Sequence, residues 1–312
     1  MKSVYLDNAA TTQVREEVIV KMQDALANSY GNPSSTHSFG RTAKTAIESA
    51  RKTIAKYLNA QPSEIIFTSG GTEADNMILR CAVADLGVQT IITSKIEHHA
   101  VLHTAEQLQN EYNVNLHFVD LDACGAIDYS HLEQLLQASD KALVSLMHIN
   151  NEIGNILDLK QVANLCKTHK ALFHTDTVQS VGHYNIDLSE ISIDYLAASA
   201  HKFHGPKGIG FIYVKNDVSL KPFITGGSQE RNMRAGTENI YGIVGLAKAL
   251  ELAYKDLEGH QTHVQGLKNY MIEELKKNIP GVHFNGDSSS EDSLYTVLNV
   301  GFPPSHIDEM FL

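Results

Sequence analysis

Short apolar runs that alternate with helical patterns constrain the fold of this chain more than any other feature. The seven runs occupy residues 64–69, 89–94, 114–120, 142–148, 171–176, 193–199 and 209–214. Strands that are apolar almost throughout are buried on both faces, and helices that connect them make the strands parallel. The sequence therefore predicts an α/β fold with a mostly parallel, seven-stranded sheet that is covered by helices on both faces.

Apolar residues recur at helical spacing in the segments around these runs. The predicted helices cover residues 38–59, 70–87, 98–112, 129–137, 159–169 and 239–278. Two further strand candidates follow the last helix, "VHFNG" and "YTVLNVGF". After Glu238, the alternation of strands and helices thus gives way to one long helix followed by two strands. This change predicts a second, smaller α+β domain.

The domain bounds follow from this change. We predict a large domain over residues 15–250 and a partial small domain from residues 1–14 and 251–312. Ile307, Met310 and Phe311 follow Ser305 at helical spacing, and the chain stops at Leu312 within that pattern. We therefore expect that the chain is cut inside a helix and that the C-terminal part of the small domain is absent.

Charge and cysteine content exclude several classes of protein. A net charge of −11 argues against nucleic acid or an anionic membrane as the main partner. No run reaches the roughly 18 apolar residues of a membrane span, and the N-terminus does not resemble a signal peptide. Three widely spaced cysteines are typical of a reducing compartment, so we expect a cytoplasmic protein without disulfides.

Polar residues follow the predicted strands at the edge where ligands bind in open α/β sheets. Gly70, Gly71 and Thr72 open a helix, where free amides and the helix dipole favour an anion, although a plain strand-to-helix turn explains them too. His99 and His103 are four residues apart, but no further ligand stands at a spacing typical of a metal site. We expect no metal.

Three other strand ends carry the remaining candidates: Asn151, Asp176, Gln179, Ser199, His201 and Lys202. Asp176 could cap a local turn. Lys202, in "SAHKFHGPKGIG", could extend its ammonium group to the surface, as most lysines do, or could serve as a reactive amine.

Pyridoxal 5′-phosphate (PLP) requires all of these groups together. Its aldehyde forms a Schiff base with a lysine, its ring nitrogen needs a carboxylate, and its phosphate needs an anion site. A flat imidazole, such as that of His98, can stack on its ring. The residue set therefore predicts PLP as the cofactor and Lys202 as the reactive amine.

The motifs resemble those of the cysteine desulfurases, which are class V, fold-type I PLP enzymes. The resemblance rests on "YLDNAATT", "YGNPSSTHSFG", "EIIFTSGGTEADN", "TSKIEHHAV", "MHINNEIG", "HTDTVQSVG", "SAHKFHGPKGIG" and "RAGTEN", in family order from Tyr5 onwards. It implies conversion of L-cysteine to L-alanine, with the sulfur passed as a persulfide to an acceptor protein. Iron–sulfur cluster assembly, tRNA thiolation and cofactor synthesis are the processes that it implies.

The resemblance also implies a role for each candidate residue. Lys202, His98 and Asp176 would be catalytic: Lys202 would form the Schiff base, His98 would stack on the ring and Asp176 would pair with the pyridine nitrogen. The other residues would bind the cofactor: Gly71, Thr72, Ser199 and His201 at the phosphate, Gln179 at the ring hydroxyl and Asn151 beside the ring. Thr237 would reach the phosphate of a partner subunit, which implies a homodimer with shared sites.

One departure from the family pattern leaves alternatives open. The cysteine that accepts the sulfur and the arginine that holds the substrate carboxylate are expected beyond Leu312, so this chain is expected to be inactive or impaired. Cys81, Cys124 and Cys166 are interpreted as buried or half-buried fillers. Another class V enzyme, an aminotransferase or selenocysteine lyase, and a non-catalytic PLP-binding scaffold are the alternatives.

Overall fold

The computed structural model describes residues 3–216, 218 and 220–304. Its strands are β1 (Ile65–Thr68), β2 (Thr90–Thr93), β3 (Asn115–Phe118), β4 (Ala142–Ser145), β5 (Leu172–Asp176), β6 (Tyr195–Ser199) and β7 (Gly210–Val214). They form one sheet in the order β1-β7-β6-β5-β4-β2-β3. Strand β7 is antiparallel to β1 and β6, and the other pairs are parallel. The predicted mostly parallel, seven-stranded sheet is thus confirmed.

Helices precede β1, connect the strands from β1 to β5 in turn, and follow β7. They are α1 (Glu16–Asn28), α2 (Ser38–Tyr57), α3 (Gly71–Leu86), α4 (His99–Tyr112), α5 (Tyr129–Gln137), α6 (Leu159–Thr168), α7 (Ile240–Lys255) and α8 (Leu257–Asn278). Helix α1 was not predicted. The single helix predicted over 239–278 is wrong, because Asp256 leaves the helical region with φ −137° and ψ 45°. Aspartate favours such breaks, since its side chain competes for backbone hydrogen bonds.

The sheet separates two apolar layers. Ile65 and Phe67 of β1 pack in a core with α1, α2 and α7, whereas Ile66 packs in the opposite core with α3 and α4. Alternate residues of a strand point to opposite faces, so a strand that is apolar throughout serves both layers. This places helices on both faces of the sheet, as predicted.

The C-terminal described residues form a short pair of antiparallel strands, β8 (His283–Phe284) and β9 (Val300–Gly301). Both are shorter than the predicted strands. Leu294 and Tyr295 are buried against Ile149, in a separate small core. The helix predicted after Ser305 lies outside the described residues, and the two-domain division stays a prediction. No helix in the described ranges is long and apolar enough to cross a membrane.

Candidate active site

A cavity of about 390 Å³ lies where β1, β4, β5 and β6 end. Most of the predicted site residues line it: Gly71, Thr72, His98, Asn151, Asp176, Gln179, Ser199, His201 and Lys202. Thr237 does not line it and is exposed on the segment that precedes α7. The fold therefore brings residues from five separate segments of the chain together at the edge of the sheet where these strands end.

The start of α3 forms one wall of the cavity. Gly70 has φ +154°, and a Cβ atom on Gly71 would lie 2.8 Å from Val178 Cγ2, so side chains at both positions would disturb this turn. Glu73 fixes the turn, because its Oε2 accepts a hydrogen bond from Ser69 N at 2.8 Å and its Oε1 accepts one from Arg234 Nε at 2.8 Å. The free amides of α3 therefore face the cavity in a fixed orientation.

The turn after β6 carries the polar groups opposite α3. Ser199 ends the strand, and Ala200–Lys202 form a short 3-10 turn before the chain returns as β7. Burial, together with Lys202 and Lys207, lowers the pKa of His201 to about 4, so its imidazole is neutral at pH 7. A neutral imidazole can donate a hydrogen bond to an anion without adding charge.

Lys202 directs its amine into the cavity. Its Nζ donates a hydrogen bond to Ala9 O at 2.5 Å. Burial lowers the pKa of this lysine, and Asp176, Asp7 and Glu152 oppose that effect. The surface interpretation of Lys202 is therefore wrong, and a larger share of its amine is uncharged than in an exposed lysine.

The N-terminal segment forms part of the cavity wall, although none of its residues is among the predicted site residues. Ala9 O also accepts from Gln179 Nε2 at 3.0 Å, and Asp7, Ala9 and Ala10 line the cavity. Thr12 joins the segment to the lysine turn, since its Oγ1 donates to His201 O at 2.8 Å. These residues belong to the motif "YLDNAATT", which is part of the family resemblance but does not by itself indicate a contact with the lysine.

Asp176 ends β5 and is 5% exposed. Its Oδ1 accepts from Val178 N at 2.8 Å, so it does cap a local turn while it also lines the cavity. Burial raises its pKa to about 7, with Asp75 as a further cause, whereas His174 and His98 lower it. A cationic ligand beside Asp176 would restore the ionised form.

His98 stands at the start of α4 on the cavity wall. Its Nδ1 accepts a hydrogen bond from Ala100 N at 3.1 Å, so the neutral ring carries its proton on Nε2. His99 and His103 stack on each other with ring centroids 4.8 Å apart and do not line the cavity. His98 is thus the histidine of this group that can contact a ligand.

Two further buried acids, neither of them predicted, belong to the cavity wall or bind a residue of that wall, Met147. Asp75 lines it at 1% exposure, and Glu97 is 6% exposed. Glu97 accepts hydrogen bonds from Ser94 Oγ at 2.8 Å and Met147 N at 2.9 Å, and burial raises its pKa to about 8. The sequence gives no signal for either, because each reads as an ordinary polar residue of a helix or turn.

Comparison with known proteins identifies the family. Residues 4–311 match the profile of the family described as aminotransferase class-V. A cysteine desulfurase IscS of Dictyoglomus turgidum is 44% identical over 291 residues, which cover 93% of this chain and 73% of the relative. The chain belongs to the cysteine desulfurase family.

A further relative and two solved structures are similar over most of the chain. A putative cysteine desulfurase IscS 1 of Bacillus subtilis is 43% identical and covers 100% of this chain and 82% of its own length. A solved NifS-like protein superposes with a TM-score of 0.90 at 38% identity, covering 96% of this chain and 82% of that protein. A structure of SspA in complex with cysteine gives a TM-score of 0.85 at 32% identity, covering 96% of this chain and 84% of SspA. The fold-type I architecture is therefore shared.

The sulfur-accepting cysteine of a cysteine desulfurase is not found among the cavity residues. Cys81 and Cys166 are buried in α3 and α6, and burial raises the pKa of Cys81 to about 12. The interpretation of Cys124 as a buried or half-buried filler is wrong, because it is exposed on a turn. These are all three cysteines of the sequence, and the structure describes each of them.

Proposed function

We propose that this protein acts as a PLP-dependent cysteine desulfurase, which converts L-cysteine to L-alanine and transfers the sulfur as a persulfide. The observation that carries this is the position of the Lys202 amine, in one cavity with an anion site at α3 and the buried Asp176 carboxyl. Family membership supports the same activity, and relatives named IscS support a role in supplying sulfur for iron–sulfur clusters.

The residues present fit PLP. The close approach of α3 at Gly71, where a Cβ atom would meet Val178, leaves backbone amides bare for a phosphate. Thr72, Ser199 and neutral His201 add hydroxyl and imidazole donors. Asp176 supplies the negative charge that a protonated pyridine nitrogen requires, and Gln179 supplies an amide for the ring hydroxyl.

Each catalytic residue has a defined task. Bound PLP supplies an electrophilic carbon and an electron-withdrawing ring. Lys202, with its lowered pKa, supplies an uncharged amine as nucleophile and proton carrier. His98 offers a flat ring with its proton on Nε2, and Asn151 offers an amide for the carboxylate of L-cysteine.

We further propose that the protein is a cytoplasmic homodimer in which Thr237 completes the phosphate site of the partner. Thr237 is exposed, and its segment is fixed to α3 of its own chain by the ion pair of Arg234 with Glu73. A hydroxyl that is held in a rigid segment outside its own cavity is available to a second copy of the chain. The sulfur acceptor would be a separate protein.

Borohydride reduction of the PLP-loaded protein tests the cofactor assignment. We expect mass spectrometry to find the label on the peptide that contains Lys202, and Lys202→Ala to abolish labelling. Lys207→Ala is the control, because Lys207 is exposed and outside the cavity. A label on Lys207 or Lys215 would reject the assignment. Alanine as the product distinguishes a desulfurase from an aminotransferase, which would form a keto acid.

Mixing two inactive variants tests the shared site. Lys202→Ala and Thr237→Ala chains should each fail to bind PLP normally. A mixed dimer would contain one intact site, with Lys202 from one chain and Thr237 from the other, so mixing should restore labelling at Lys202. Unchanged labelling after subunit exchange would reject the role of Thr237.

A further inference from the structure

Asp75 and His174 form an isolated polar contact under the cavity. Asp75 Oδ1 lies 3.4 Å from His174 Nε2, and the two side chains are 1% and 0% exposed. By hydrogen-bond geometry neither atom has a partner among the described residues, so the two atoms meet only in this long contact. On its other side, the His174 ring contacts Ser145 Oγ through Nδ1 at 2.8 Å.

The titratable groups beside this contact are two further acids, and the lysine that acts on one of them lies across the cavity. Asp176 at the end of β5 and Glu97 after β2 are close enough to act on each other and on Asp75. Within the described residues, no lysine or arginine forms an ion pair with any of these three carboxyls. Lys202 acts on Asp176 from across the cavity.

An ion pair between Asp75 and His174 would be poorly compensated here. Two buried charges offset their desolvation only with short, well-aligned contacts and further hydrogen bonds, and this contact is long and has no additional donor to Asp75 Oδ1. Burial raises the pKa of Asp75 and lowers that of His174 to about 4, so both effects favour neutral partners at pH 7.

We propose that Asp75 and His174 are a neutral, proton-sharing pair, in which the protonated Asp75 carboxyl donates to His174 Nε2. The ring proton is then on Nδ1 and is donated to Ser145 Oγ. Because Asp75 is neutral in this pair, Asp176 is the acid beside it that ionises when a cationic ligand binds. The pair thereby keeps the negative charge on Asp176. That the charge on Asp176 serves the pyridine nitrogen of PLP rests on the proposed function.

Infrared difference spectroscopy of the full 312-residue protein without PLP tests the pair directly. Asp75→Asn should remove a carbonyl-stretch band of a protonated carboxylic acid at pH 7. Glu97→Gln is the matched control: it removes the contribution of another buried acid and should leave the Asp75 band in place. Loss of carboxylate bands in Asp75→Asn, instead of an acid band, would overturn the proposal.

PLP affinity gives a second readout. Asp75→Asn keeps the neutral state and should change the PLP dissociation constant by less than about threefold. Asp75→Ala leaves His174 Nε2 without a partner and should lower the folding equilibrium constant roughly tenfold. If Asp75 were ionised, Asp75→Asn would remove a charge beside Asp176 and shift PLP affinity by far more than threefold.

A measurement that leaves Asp75 and His174 unchanged keeps the test independent of the folding of Asp75 variants and of the cofactor. In Asp176→Asn protein labelled with ¹³C at the aspartate carboxyls, which removes the other buried aspartate of this group, one buried carboxyl should keep the chemical shift of the protonated form at pH 7 without PLP. Its absence would overturn the pair even if PLP binds normally to the wild-type protein, whereas failure of PLP to bind there would affect the proposed function alone.

Discussion

Two groups of buried carboxyls differ in how their charge is balanced. Glu230, 5% exposed, accepts two hydrogen bonds of 2.9 Å from the Arg51 guanidinium and one of 2.8 Å from Phe67 N. Asp176 and Glu97 are buried to the same degree, but no arginine or lysine in the described ranges pairs with them. Glu230 therefore has its counter-ion within the scaffold, whereas Asp176 and Glu97 have none in the described ranges and burial raises their pKa values.

The largest effect is expected where the counter-ion is removed. Arg51→Met leaves Glu230 charged and buried, and should lower the free energy of unfolding by about 3–5 kcal/mol in urea titrations. The double variant Arg51→Met/Glu230→Met is the control, and it should regain much of that loss because neither charge remains. A single-variant loss below about 1 kcal/mol would show that this pair is not needed to bury Glu230.

A smaller effect is expected where the ligand is the counter-ion. Under the proposed function, Asp176→Asn removes the charge that would meet the pyridine nitrogen, and it should weaken PLP binding on the order of 10- to 100-fold. The protein without PLP should lose no stability, because burial already disfavours the ionised form of Asp176. Absorbance titration with PLP and thermal unfolding measure the two effects, and equal PLP affinity in variant and wild type would contradict the comparison.

Glu97, a buried acid without a counter-ion in the described ranges, should make the stability of the protein depend on pH. Its pKa is about 8 in the fold and about 4.3 in an unfolded chain, so the folded state binds more protons between these values. Stability without PLP should therefore fall as pH rises through this window, by about 3–4 kcal/mol between pH 5 and 8. Glu97→Gln should flatten that slope; parallel slopes in both proteins would place Glu97 in the charged form.

The smallest effect is expected for an acid that, like Glu230, is paired with an arginine but is partly exposed to solvent. Arg234 and Glu73 meet at 2.8 Å, with 21% and 11% of their side chains exposed. Arg234→Gln should cost about 0.5–1 kcal/mol, since solvent already screens part of this interaction. Urea titration beside Arg51→Met tests whether the cost follows burial. A loss as large as that of Arg51→Met would refute this dependence.

The same contrast separates what the sequence predicts from what it does not. Lys202, Asp176 and Gly71 stand in local motifs directly after apolar strands, and parallel strands place their carboxyl ends at one edge. Asp75 and Glu97 differ chemically from surface acids only through burial by distant segments, which no local pattern encodes. The break at Asp256 depends on one backbone conformation within a continuous apolar pattern, so periodicity predicted a single helix there.

The position of β7 has a consequence for the order of assembly. Strand β1 carries the α3 turn, but Ile65 pairs with Tyr213, and β7 separates β1 from the strand that leads to Lys202. This is a non-local pairing, which forms slowly because a long loop must close first. The turn at the start of α3 is therefore synthesised long before Lys202, and the two can be brought together only after residue 214 has left the ribosome.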